Sequence, residues 1–130
     1  MSGPEVAENA NRVLIADFAR IFYLERDVRR AFEVYVSAEN YTQHNPSLPN
    51  GREAAIVALE PKFGNPNARF EIKRILVDGD LAVVHVRAFP SGGNEAAVAD
   101  FYRIEAGKIV EHWDVLQLVP DGSANANTMF

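Results

Sequence analysis

The hydrophobic spacing changes once along this chain, near Gly64 and Pro66, and that change limits the folds open to it. Before it, Val13, Leu14, Phe18, Ile21, Phe22 and Leu24 recur at steps of three and four, which predicts a long amphipathic helix over residues 8–25. A second helix is expected over residues 27–36, with Asp27 as its N-cap. A third is expected over residues 52–59, stopped by Pro61, because the residue before a proline is biased away from helical backbone. Beyond the change the period is two. Residues 69–77, 81–89, 95–104 and 109–119 read as strands, separated by Asp78-Gly79-Asp80, by Pro90-Ser91-Gly92-Gly93 and by a turn around Gly107. Helices followed by consecutive hairpin strands predict an α+β fold, with about three N-terminal helices on one face of an antiparallel sheet. One domain spanning residues 1–130 is expected, with a frayed tail from Pro120.

The strands carry apolar residues on both faces. Val84 and Val86 alternate with Val83, His85 and Arg87, and Phe101, Trp113 and Val115 alternate with Tyr102, Val110 and Leu116. A sheet with one wet face alternates more cleanly, so the face away from the helices is expected to be covered by a second copy of the chain. Charge excludes other partners. With 13 basic and 18 acidic residues the formal net charge is −5, which argues against binding nucleic acid or an anionic membrane. Arg26, Arg29 and Arg30 lie beside Glu25, Asp27 and Glu33, the pattern of a solvated, ion-paired helix face. Without cysteine there is no disulfide or thiolate nucleophile. No apolar run approaches the roughly 20 residues of a membrane span, and the first twelve residues lack the layout of a signal peptide. A cytoplasmic protein is expected.

The chemistry gathers in residues 100–117, where Asp100, His112 and Asp114 stand among residues suited to a half-buried sheet. A three-residue loop of Glu105, Ala106 and Gly107 would pair Ile104 with Lys108, Tyr102 with Val110 and Asp100 with His112. Asp100, Tyr102, His112 and Asp114 then share one face. A two-residue turn at Ala106-Gly107 would place Asp100 beside Trp113 and separate it from both; Ala106 disfavours it, because both turn residues would need positive φ. A buried carboxylate must find a partner or take up a proton, so such a face can hold an acid and a base. The turn-rich segment before the third helix adds Tyr41, His44 and Asn45 as candidate substrate contacts. The three histidines lack the spacing of a helical ligand pair, and neither metal nor cofactor is expected.

Val98-Ala99-Asp100-Phe101-Tyr102-Arg103-Ile104, running into Gly107-Lys108-Ile109-Val110-Glu111-His112-Trp113-Asp114-Val115, resembles the C-terminal hairpin of SnoaL-like polyketide cyclases. Tyr41-Thr42-Gln43-His44-Asn45-Pro46 followed by Pro49-Asn50-Gly51-Arg52-Glu53 resembles the segment before that family's third helix. The resemblance spans nearly the whole chain. It implies the NTF2-like superfamily, a cone in which a curved sheet and helices enclose a deep apolar pocket. It also implies that Asp114 is a general base, and that Asp100 stands where ketosteroid isomerases place the protonated Asp of an oxyanion hole. His44 and Asn45 fall near the isomerases' general-base Asp, and Tyr23 is the nearest candidate for their pocket tyrosine.

These readings predict a small cyclase-, isomerase- or lyase-type enzyme that removes a proton α to the carbonyl of an apolar substrate, as in aldol closure. Asp114, assisted by His112, would be the base. Asp100 and Tyr102 would donate to the enolate oxygen, with His44 as a further donor or acid. The alternative expectation is a non-catalytic module that binds a small molecule in the same pocket.

Overall fold

The computed structural model describes residues 3–91 and 93–130. Gly92 of the expected Pro90–Gly93 loop and residues 1–2 of the N-terminal stretch lie outside the described residues. Helix α1 spans Gly3–Ala19 and runs without a break into a π-helical turn, Arg20–Leu24. Helix α2 is Val28–Tyr35, and the carboxylate of Asp27 caps it by accepting the Arg30 backbone N–H at 3.2 Å. Helix α3 is Arg52–Phe63, longer than the sequence suggests. Pro61 lies inside its last turn. Burial of the Phe63 ring against Phe22 and Phe70 holds that turn in place, and the Gly64 N–H closes it on the Glu60 carbonyl at 2.8 Å.

The strands are β1 (Thr42–Gln43), β2 (Arg69–Asp78), β3 (Leu81–Phe89), β4 (Ala96–Glu105) and β5 (Lys108–Leu118). They form one curved, unclosed sheet in the order β1-β5-β4-β3-β2, antiparallel except where β1 joins β5 in parallel. Three helices pack on its inner face. Ile15, Phe18, Ile21, Phe22, Phe32 and Ile56 are buried there against Val84, Val86 and Tyr102. The fold is therefore the α+β arrangement that the period change predicts.

Three local expectations are corrected. The turn between β4 and β5 has two central residues, Ala106 (φ 51°) and Gly107 (φ 76°), joining Glu105 paired with Lys108. A bulge at Val110 then shifts the register, so that Tyr102 pairs with His112 and Asp100 with Asp114. The bulge buries Ile109 and Val110 in succession. Burying one such side chain is worth about 1.5–3 kcal/mol. Holding Ala106 in the left-handed region costs about 1–2 kcal/mol, so burial decides the turn. The segment expected as loop contributes β1, held by the Gln43–His112 and Thr42–Glu111 pairings. Finally, the tail from Pro120 folds back on the outer face, where Phe130 lies 5.8 Å from the His85 ring and 5.4 Å from the Arg87 guanidinium carbon.

Candidate functional site

The π-helical turn widens the helix and buries Ile21, Phe22 and Tyr23 in succession, which an ordinary helix face does not do. It carries Tyr23 under the middle of β4. There the Tyr23 hydroxyl donates to Asp100 Oδ2 at 2.5 Å and stands 2.6 Å from the Tyr102 hydroxyl. A hydroxyl has one proton; with Tyr23 donating to Asp100, Tyr102 is the donor to Tyr23. On the other side His112 Nε2 lies 2.8 Å from Asp100 Oδ1, and His112 Nδ1 lies 2.7 Å from Gln43 Oε1.

Gln43 sets the tautomer of this imidazole. Its Oε1 accepts the Asn45 backbone N–H at 2.9 Å, so that atom is the oxygen and the His112 Nδ1 facing it carries a proton. One further proton joins Nε2 to Asp100, whether on the carboxyl or on the ring. Asp114 is the direct cross-strand partner of Asp100. Asp114 Oδ2 accepts from Asn45 Nδ2 at 2.8 Å and lies 4.0 Å from His112 Nε2. Its Oδ1 has no hydrogen-bond partner among the described residues.

These groups form the polar end of a cavity of about 620 Å³, within the span usual for small-molecule sites. The rest of its wall is mostly apolar, apart from Ser47, Lys62, Asn65 and Ser91. Phe22, Phe63 and Phe70 stack nearly parallel, with centroids 4.2 and 4.4 Å apart, and Val86, Val98 and Leu59 are among the other apolar lining residues. Tyr41 lines the polar end and receives a long contact, 3.4 Å, from Gln43 Nε2. Burial, and then the charges of Asp100 and Asp114, push its hydroxyl well above the ordinary tyrosine value, so it stays protonated. Burial followed by the Asp100 charge does the same to Tyr23 and Tyr102.

Of the residues that the sequence singles out, Asp100, Tyr102, His112, Asp114, Asn45 and Tyr41 line this cavity together. Asp100 and Tyr102 have their hydrogen-bonding atoms committed to His112 and Tyr23, unlike the free donors expected of them. His44 does not join the site. It stacks on Trp113 with ring centroids 4.8 Å apart and bonds Glu111 Oε2 at 2.6 Å, on the outer face. The parity of β1 explains this, since Gln43 faces His112 and its neighbour must point away. His85 is also on the outer face, bonded to Arg74. Gln43 is the residue that the sequence does not single out, and Tyr23, named there only through the resemblance, takes its place beside Asp100. A Gln inside a turn-rich run carries no signal of its own, and Tyr23 needs the π turn to reach β4. One oxygen each of Asp100 and Asp114 and one nitrogen of His112 lie within 4.8 Å of one another, a donor set suited to a divalent cation. A cation there would have to displace the proton between Asp100 and His112.

Solved structures share this architecture. An NTF2-like protein of unknown function from Mesorhizobium loti superposes with a TM-score of 0.72 at 22% identity, over 85% of this chain and 93% of that one. A candidate ketosteroid isomerase from Kribbella flavida gives 0.72 at 16% identity, over 91% and 85% respectively. A candidate polyketide cyclase from Acidithiobacillus ferrooxidans gives 0.65 at 18% identity, over 82% and 87%. At these identities the likeness concerns the fold alone. No curated protein matches the chain. No helix among the described residues is long and apolar enough to cross a membrane. The model of the SnoaL-like domain matches residues 15–112, and the chain belongs to that family of the NTF2-like superfamily.

Proposed function

We propose that this chain is an acid–base enzyme of the cyclase or isomerase type that removes a proton α to a carbonyl without a cofactor. The observation that carries this reading is Asp114: one carboxylate oxygen is fixed by Asn45, and the other stands uncommitted in the wall of an apolar cavity. That oxygen is the base. Tyr41, whose own proton has no acceptor among the described residues, is the donor to the developing enolate oxygen. The Asp100–His112 pair stands beside Asp114 as its support, and Asp114 itself returns to the substrate the proton it has taken up. Abstraction and return of a proton then suffice for isomerisation, and attack of the enolate on a second carbonyl gives ring closure.

Deuterium exchange tests this without knowledge of the natural substrate. In heavy water, the protein should catalyse deuterium incorporation α to the carbonyl of 2-tetralone, a flat apolar ketone. Asp114→Asn should slow that exchange by about 10²-fold or more, the usual contribution of a positioned base. Wild-type exchange no faster than solvent, or unchanged exchange in the variant, would reject the assignment. A non-catalytic binding module is the second reading. It is favoured by the internal satisfaction of every buried side-chain polar atom among the described residues. It predicts tight binding of 2-tetralone with no exchange.

A further inference from the structure

The cavity has a second charged pole. The residues that line it and are themselves exposed, and so form its rim, are Ser47, Pro61, Lys62, Pro90, Ser91 and Leu116. Lys62 is the only charge in that rim, and the other charged cavity residues, Asp100 and Asp114, stand beside His112. Its ammonium is uncommitted. Of the 13 Lys and Arg side chains, all but Lys62 make an ion pair or a hydrogen bond within the described residues. Between the two poles runs the aromatic wall. Phe63 follows Lys62 in the last turn of α3, stacks on Phe22, and Phe22 lies 4.7 Å from the ring of Tyr23, whose hydroxyl reaches Asp100.

We propose that the ligand of this cavity is a monoanion: a flat apolar carbonyl compound whose carboxylate is held at the rim by Lys62. The inference rests on the cavity reading above and names its substrate class. A single ammonium among hydroxyls and prolines suits a carboxylate. A phosphate is better matched by a forked guanidinium, and none stands among the described lining residues. On a chain of net charge −5 the same ammonium gives the mouth a local attraction for anions that the rest of the surface opposes. A basic side chain in the last turn of a helix also complements the helix dipole, but that role predicts an effect on stability alone.

Fluorescence titration with 1-pyrenebutyrate and its neutral counterpart 1-pyrenebutanol separates these cases. At low salt the wild-type protein should bind the carboxylate about three-fold more tightly than the alcohol, the scale of a solvent-exposed ion pair, and added salt should erase the difference. Lys62→Gln should equalise the two ligands, and Lys62→Glu should reverse their order, with thermal stability nearly unchanged because the side chain is exposed. Methyl signals of Val98 and Leu116 should shift on binding, placing the probe in the cavity. Equal affinities in the wild type, or a preference that survives Lys62→Glu, would overturn the assignment of Lys62 while leaving the cavity reading intact. Binding of neither probe, or shifts confined to Val115 on the outer face, would overturn both.

Discussion

At the scale of single residues, the site is a row of protons with assigned owners. Tyr102 donates to Tyr23, Tyr23 to Asp100, one proton lies between Asp100 and His112, and His112 donates to Gln43. Types and approximate places of Asp100, His112 and Asp114 are legible in the sequence because acids on an apolar strand are conspicuous. The ownership of each proton is not, since it depends on Gln43 and Tyr23, which lie 69 and 77 positions away from their partners. The tyrosines make the arrangement pH-sensitive on the alkaline side. Tyr23, Tyr41 and Tyr102 all sit above the ordinary value of 10.0, first through burial and then through the Asp100 charge. Below that value they are protonated folded or unfolded, and their stabilising effect is complete. Above it the unfolded chain loses protons first, so stability should fall from about pH 10 upward. Tyrosinate absorbance and circular dichroism should therefore change together. Three tyrosines ionising near pH 10 with an intact fold would contradict their burial.

Elements explain why the right faces meet despite an unexpected turn. A three-residue loop in regular register and a two-residue turn followed by one bulge differ by two places in pairing, so both put Asp100, Tyr102, His112 and Asp114 on one face. The parity inferred from sequence stands, although the turn and the pairs behind it differ. Ala106 carries positive φ only because the bulge it permits buries Ile109 as well as Val110. Ala106→Asn, a residue that tolerates the left-handed region, should raise stability by roughly 0.5–1 kcal/mol, read from urea unfolding at unchanged m-value. A loss of stability there would argue against this turn. Beside the hairpin, β1 shows what two ladder pairs accomplish: they aim Gln43 and Asn45 inward and turn His44 out onto Trp113.

At the scale of the whole molecule, the outer sheet face carries exposed apolar side chains. On the outer sheet face Val115 is 66% and Leu76 61% exposed, beside half-buried Val83, Phe101 and Trp113, while the tail covers only the region near His85 and Arg87. We propose that a second copy of the chain covers this patch, as the two-sided apolar pattern of the strands suggests. Sedimentation equilibrium should give a dimer for the wild type, and Val115→Lys should shift it toward monomer at least ten-fold in dissociation constant, about 1.4 kcal/mol. A monomer at all concentrations would exclude this proposal.

What the sequence by itself determined is the order of elements, the sheet faces and the family, because hydrophobic period and local motifs are properties of neighbouring residues. Tertiary structure alone decided the rest. The π turn that delivers Tyr23, the helix that continues through Pro61 and the bulge at Val110 each give up local backbone preference for burial of a distant ring or side chain. The placement of Lys62 at the rim of the cavity that Asp114 also lines likewise exists only once α3 is packed on the sheet, since nothing within a few residues of Lys62 specifies what it faces.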